Sequence, residues 1–184
     1  WKINGNARIN ELVRAQNTSI KMLCDSVLRE ILSYTNIIQG GVYVLHDDEE
    51  NEESYLDLAS CIAYNRKKAD KKRIGVDEGL IGRCLYEKQS ILLSEIPDNY
   101  LAITSGLGDR NPSYLAIIPL KNNDIVTGVM EFASFKPIDE HILSFLEKAA
   151  ESLSSAIVSV RTNERTQLLL EKTKEYAEEV GAQE

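Results

Sequence analysis

Glu131 is the residue whose placement in this 184-residue chain most calls for a chemical explanation. It stands inside the β-rich run 125–132, between Met130 and Phe132, where a carboxylate is costly unless it is paired or wet. Period-two alternation puts Val129, Glu131 and Ala133 on one face and Met130 and Phe132 on the other. If the apolar pair packs against helices, Glu131 faces a pocket. There it could bind a ligand amine or loop donors, or tie down the backbone N–H groups of a covering loop. Segment 94–112 is the candidate loop, because a long irregular stretch between strands is more often functional than an equal length elsewhere. Folded over the sheet, it would enclose a small molecule with Tyr100, Thr104, Ser105, Asp109 and Arg110 as polar contacts. Cys61, on a strand, and Cys84, on a short helix, complete the candidate ligand-binding set.

Other chemistries find less support. The three cysteines, Cys24, Cys61 and Cys84, are odd in number and lack C-x-x-C spacing, which argues against a disulfide framework and a zinc site and for reduced thiols. The acidic run 47–53 lacks the spacing and glycine of a calcium loop, and reads as a solvated hairpin tip. The basic run 66–73 could hold phosphate or an acidic partner, or be a solvated loop facing that tip. Gly79-Leu-Ile-Gly82 lacks the third glycine and the Lys-Ser/Thr of phosphate loops, so its glycines are expected to permit close helix-to-sheet approach. No Ser/His/Asp arrangement or metal spacing points to another catalyst; no metal or cofactor is expected.

The elements that must position these residues follow from periodicity. Apolar residues from Ile9 to Ile38 recur every three or four positions, as on one helix face ended by Gly40-Gly41. Such a helix of roughly 34 residues would span about 50 Å. Its first half, to about 17–19, is therefore expected to be an incoming connector. Strands are expected at 42–46, 55–64, 73–76 and 90–93, with a helix at 78–88 capped by Asp77. In the strand 55–64, Leu56, Leu58, Ser60 and Ile62 would share one side. Runs 115–120 and 125–132 flank Lys121-Asn-Asn-Asp124, whose residue types tolerate left-handed turns, so they form an antiparallel hairpin. A helix begins near Asp139 and continues into 168–180, where Leu, Glu and Lys show loose heptad spacing.

Composition sets outer limits. Hydrophobic content of 43% and charged content of 27% fit an ordinary globular domain. A net charge of −8 and a pI near 4.9 argue against nucleic-acid binding through a general basic surface. No apolar run approaches the roughly 20 residues of a membrane helix, and no stretch reads as a signal peptide. Because the chain starts at Trp1 and stops inside a helical pattern, it reads as a fragment of a longer protein whose membrane anchor, if any, lies elsewhere.

The order helix, strand, strand, short helix, strand, variable loop, strand hairpin, long helix resembles the GAF family of sensory domains. The residues carrying the match are Gly40-Gly-Val-Tyr-Val44, Gly79-Leu-Ile-Gly82, Ile118-Pro-Leu120, Gly128-Val-Met-Glu-Phe-Ala-Ser134 and Phe135-x-x-x-Asp139-Glu140. The resemblance covers about 19–160. It implies a module of a large bacterial signalling protein, histidine kinases of two-component systems being the familiar setting, joined to other modules by helices through which it dimerises. Cyclic-nucleotide-binding members resemble an Asn-Lys…Phe-x-x-x-Asp-Glu pattern; here Ser134-Phe135 stands where Asn-Lys belongs. Free methionine-R-sulfoxide reductases share the fold, carry loop cysteines and present an acid to substrate from the strand resembling that of Glu131. Here 94–112 contains no cysteine, and none follows Pro97 to hold a tetrapyrrole.

The expected fold is therefore α+β: a central antiparallel sheet of five to six strands, long terminal helices on one face, and loops and short helices covering a pocket on the other. Residues 1–18 are assigned to an incoming connector helix, 19–160 to the GAF domain and 161–184 to a coiled-coil-like outgoing helix. The expected function is non-enzymatic and cytoplasmic: a domain that senses a small molecule or partner and signals through its helices in a homodimer. No direct membrane contact of this fragment is expected. A thiol redox enzyme and a structural dimerisation spacer are the rival readings.

Overall fold

The computed structural model describes residues 2–15, 19–48, 50, 53–63, 66–67, 73–96 and 112–182. In chain order the elements are α1 (Lys2–Arg14), α2 (Ile20–Tyr34), β1 (Gln39–Asp48), β2 (Glu53–Ala63), β3 (Arg66–Lys67) and β4 (Arg73–Gly75), then α3 (Gly79–Glu87), β5 (Ile91–Leu93), β6 (Tyr114–Asn122), β7 (Ile125–Ser134) and α4 (Glu140–Gly181). The sheet runs β3-β2-β1-β7-β6-β5 with every pair antiparallel; β4 and β3 share the outer edge of β2. No helix among the described residues is long and apolar enough to cross a membrane.

The helical region expected to divide near 17–19 forms two helices, α1 ending at Arg14 and α2 starting at Ile20. Ser19 caps α2, its side chain accepting from the Met22 N–H, and α2 ends at Thr35, whose extended backbone and hydroxyl both bond the Ile31 carbonyl. Gly40-Gly41 does not terminate a helix but lies inside β1. The physical reason is a close approach: a Cβ at Gly40 would lie 2.6 Å from Leu28 Cδ1, so glycine lets α2 press onto the strand. The helices form an up-down-up layer. Gly5 meets Phe145 and Asn10 meets Ser152, so α1 runs parallel to α4, whereas Tyr34 meets Phe145 and α2 runs back between their ends.

Two bulges decide which side chains face which layer. In the β1–β2 ladder, Val42 pairs with Ser60 but Tyr43 with Leu58, leaving Ala59 as the extra residue. The expected shared side of β2 is therefore split. Leu56 and Leu58 join Tyr43, Ile81 and Cys84 beneath α3, while Ile62 packs under α2 and α4 and Ser60 donates to Asp25 Oδ1 of α2 at 3.0 Å. In the β6–β7 hairpin the turn residues Asn123 and Asp124 adopt the left-handed region, as their types suggested. The second bulge frees Thr127, whose buried hydroxyl lies 2.8 Å from Ser154 Oγ of α4; both hydroxyls reach the Leu120 carbonyl.

Asp77 does not cap α3. Glu78 occupies that position without a side-chain cap bond, and Gly79 supplies the φ of +58° that starts the helix. Gly82 sits against the Val76–Asp77 turn rather than the sheet, 2.7 Å from the Asp77 carbonyl carbon if given a Cβ. Asp139 does cap α4, accepting from the Ile142 N–H at 2.9 Å.

The tightest contact joins the two central strands: a Cβ on Gly128 of β7 would fall 2.1 Å from the Tyr43 carbonyl oxygen of β1. Gly128→Ala is expected to destabilise the fold by about 3 kcal/mol in urea unfolding. A Cβ at Gly41 meets nothing nearer than 3.5 Å, so Gly41→Ala should shift stability by under about 1 kcal/mol.

Candidate functional site

Strand register assembles the site around Glu131. Phe132 and Met130 are fully buried beneath α2 and α4, as alternation required, which leaves Glu131 on the opposite face with Val129 and Ala133. Gly41 of β1 pairs with Glu131 on one side and with Cys61 of β2 on the other. Glu131 pairs in turn with Ile117, and Ile117 with Ile91. One cross-strand row therefore reads Cys61, Gly41, Glu131, Ile117, Ile91. Gly41, which has no side chain, stands between Cys61 and Glu131, whose backbones lie about 10 Å apart at two strand spacings; Leu58 Cδ1 and Tyr43 Cε2 come within 3.5 and 3.9 Å of where its Cβ would be.

Tyr43 lies in the next row on the same face, paired with Leu58 and Val129. Burial pushes its phenol pKa up, and the charges of Glu131 and Cys61 add to the rise. The hydroxyl therefore stays protonated and able to donate beside a half-buried carboxylate. A carboxylate with a neutral phenol near it is a pairing suited to a small cationic or hydrogen-bonding group.

The far side of the row is closed by α3. Ile81 and Cys84 pack on Leu115, Ile117 and Val129. The Cys84 thiol donates to the carbonyls of Gln89 at 3.3 Å and Ile117 at 3.7 Å. Burial, with Glu87 nearby, pushes its pKa up to about 12. Cys24, on the helix side of the sheet, is pushed up to about 12 by burial, against the pull of Arg161. Both are structural thiols, not nucleophiles.

Of the sequence-derived candidates, the fold brings Glu131 and Cys61 to one face and sets Cys84 against it as packing. Tyr100, Thr104, Ser105, Asp109 and Arg110 lie outside the described residues. Sequence reasoning does not single out Tyr43 and Gly41. Tyr43 falls within the strand expected at 42–46 and Gly41 within the expected helix stop; neither local reading shows which residues pair across the strands.

Alkylation of the native chain with iodoacetamide at pH 8 is expected to modify half-buried Cys61 first and to spare Cys24 and Cys84, as peptide mapping would show. Because folding raises the pKa of those two thiols from 9.0, the unfolded state loses their protons first as pH rises. Thermal stability should therefore be intact below pH 9 and fall from pH 9 towards 12.

The match to a GAF domain family model spans residues 17–158. No curated protein matches significantly in sequence. Among solved structures, the chain is similar to the GAF domain of an Acinetobacter phosphoenolpyruvate-protein phosphotransferase, at 17% identity and a TM-score of 0.69, covering 89% of this chain and 97% of that one. It is also similar to the free methionine-R-sulfoxide reductase of Neisseria meningitidis, solved with its substrate, at 16% identity and a TM-score of 0.67, covering 88% and 91%. The GAF-B domain of DevS from Mycobacterium smegmatis gives 16% identity and a TM-score of 0.61, covering 80% and 99%. These likenesses extend to the fold alone; on the family match and the architecture just described, the chain belongs to the GAF domain family.

Proposed function

We propose that this chain is a non-enzymatic sensory GAF domain, working on the cytoplasmic side of a bacterial signalling protein of the histidine-kinase type. Its sheet face would take a small molecule bearing an amine or other cationic donor. The observation that carries this reading is Glu131, a mid-strand carboxylate beside a glycine position and the Tyr43 phenol. A structural strand would place an apolar residue there at less desolvation cost. Glu131 would bind the ligand's positive end, Cys61 would line the opposite side, and Tyr100, Thr104, Ser105, Asp109 and Arg110 would close over it.

Output would leave through α4. This helix has 42 residues, and from Thr162 onwards every described residue is exposed. Thr166, Leu169, Thr173, Tyr176 and Val180 repeat at alternating steps of three and four, the seam of a two-helix coil. Leu169, Tyr176 and Val180 are 59%, 68% and 65% exposed, apolar surface that a second copy would cover. Residues 1–18 then form the incoming connector, 19–160 the sensor and 161–184 the outgoing coil.

A thiol redox enzyme is the second reading, favoured by Cys61 and Glu131 sharing one face in a fold that also serves methionine sulfoxide reduction in a relative. The buried, protonated state of Cys84 speaks against it as a partner thiol.

Native mass spectrometry should give a dimer carrying a non-covalent mass, lost on denaturation and absent from Glu131→Gln. A bare dimer at all ligand concentrations screened would leave the spacer reading standing, and turnover of free methionine sulfoxide would establish the enzyme. Leu169→Glu with Tyr176→Glu should raise the dimer dissociation constant at least about tenfold by sedimentation equilibrium while leaving the fold intact.

A further inference from the structure

The contact between α4 and the sheet has one feature at its boundary that packing alone does not require. Arg161 is the last residue of α4 that is not exposed. Its guanidinium crosses to the sheet and donates from Nη2 to the Leu45 carbonyl of β1 at 2.6 Å. The Leu45 side chain packs with the cluster on the opposite face, which holds Tyr43, Leu56 and Val129. One residue of β1 thus touches both layers: its side chain belongs to the Glu131 face, and its carbonyl holds the root of the outgoing helix. Tyr43 lies two positions earlier on the same strand and the same face.

The surroundings of Arg161 are built for a sensitive contact. His46, next along β1, is held below its usual pKa first by burial and then by the Arg161 charge, so the ring stays neutral and adds no second positive charge beside the guanidinium. His46 stacks on Tyr55 at 5.4 Å, and Arg73 covers the Tyr55 ring at 4.1 Å. A cleft of about 360 Å³ opens between the start of α2, Val44, His46, Asp57 and Glu164, giving the end of α4 space to shift. Further back along α4 the anchorage is different in kind: Ser154 bonds Leu120 and Thr127 in a dry network, and Asn122 bonds Ser155. The helix is therefore fixed through 154–157, where Ile157 is fully buried; Val160 still packs against the core, and at 161 a charge-assisted bond ties the helix to β1.

We propose that Arg161 is the coupling latch of this domain: displacement of β1 at Tyr43 and Gly41 changes the Arg161–Leu45 bond and so loosens or tightens α4 from residue 158 onwards, with the buried stretch 154–157 as the fixed point. This deepens the sensor reading and rests on it, but the latch is a property of the chain itself. A test that perturbs the face by substitution is therefore independent of whether a ligand is found.

The test is amide hydrogen exchange along α4, comparing 158–165 with 145–153, in wild type, Tyr43→Ala, Arg161→Gln and the double variant. The latch predicts that Tyr43→Ala speeds exchange in 158–165 by about threefold or more relative to 145–153. In the Arg161→Gln background, where 158–165 already exchanges faster, Tyr43→Ala should add less than about 1.5-fold. Three results would each overturn the proposal: no effect of Tyr43→Ala on 158–165, equal acceleration along all of α4, or an undiminished effect without Arg161. A purely structural arginine would give additive effects. Arg161→Met, which keeps the aliphatic stem, replaces Arg161→Gln in the same comparison if the latter fails to fold.

Discussion

The seam between β1 and β7 holds the molecule together. These strands come from distant parts of the chain, and their pairing joins the N-terminal β1–β2 hairpin to the C-terminal β6–β7 hairpin as one sheet. Gly128 is what lets them close, since any side chain there would occupy the position of the Tyr43 carbonyl. Gly40 does the same for the helix layer, allowing Leu28 of α2 to lie against the strand. With the seam closed, Gly41 is set between Cys61 and Glu131, and Leu45 comes within reach of Arg161. The candidate site and the root of the outgoing helix are both consequences of this one backbone approach.

The two faces of the sheet differ in how they treat polar groups. On the helix side, Phe132, Met130, Ile118 and Leu120 are sealed under α2 and α4, and the buried hydroxyls Thr127, Ser154 and Ser60 all have partners. Among the described residues no buried side-chain nitrogen or oxygen lacks a hydrogen bond. A satisfied network of this kind fixes one arrangement of α4 on the sheet. The other face is covered at one end by α3, with the Glu131 row left beside it. Among the described residues, the strands lie between the two layers, so a displacement on the Glu131 face can reach the helices through them.

Much of this is legible in the sequence because it depends on local chemistry. The alternation of Val129, Glu131 and Ala133 against Met130 and Phe132 is enough to place Glu131 on its face. Asn123 and Asp124 announce the left-handed hairpin turn, and Asp139 announces the start of α4. The points where sequence and structure part have a common cause. Gly40-Gly41 reads locally as a helix stop, because a glycine's conformational freedom is visible in sequence and the atoms that approach it in space are not. The split of Leu56 and Leu58 from Ser60 and Ile62 is invisible for a similar reason: a bulge at Ala59 is set by the register with β1, and β2 alone carries no record of it.

The sequence by itself thus determined most of the helices and longer strands, the GAF type of module and the face of Glu131, because periods of two and 3.6 residues and cap and turn chemistry act over a few neighbours. Tertiary structure alone decided that Tyr43, Gly41 and Cys61 stand around that carboxylate and that Cys84 is buried and hydrogen bonded. It also decided that Arg161 reaches the carbonyl of Leu45. Those are pairings between residues far apart in the chain, fixed by strand register and by glycines that permit close approach.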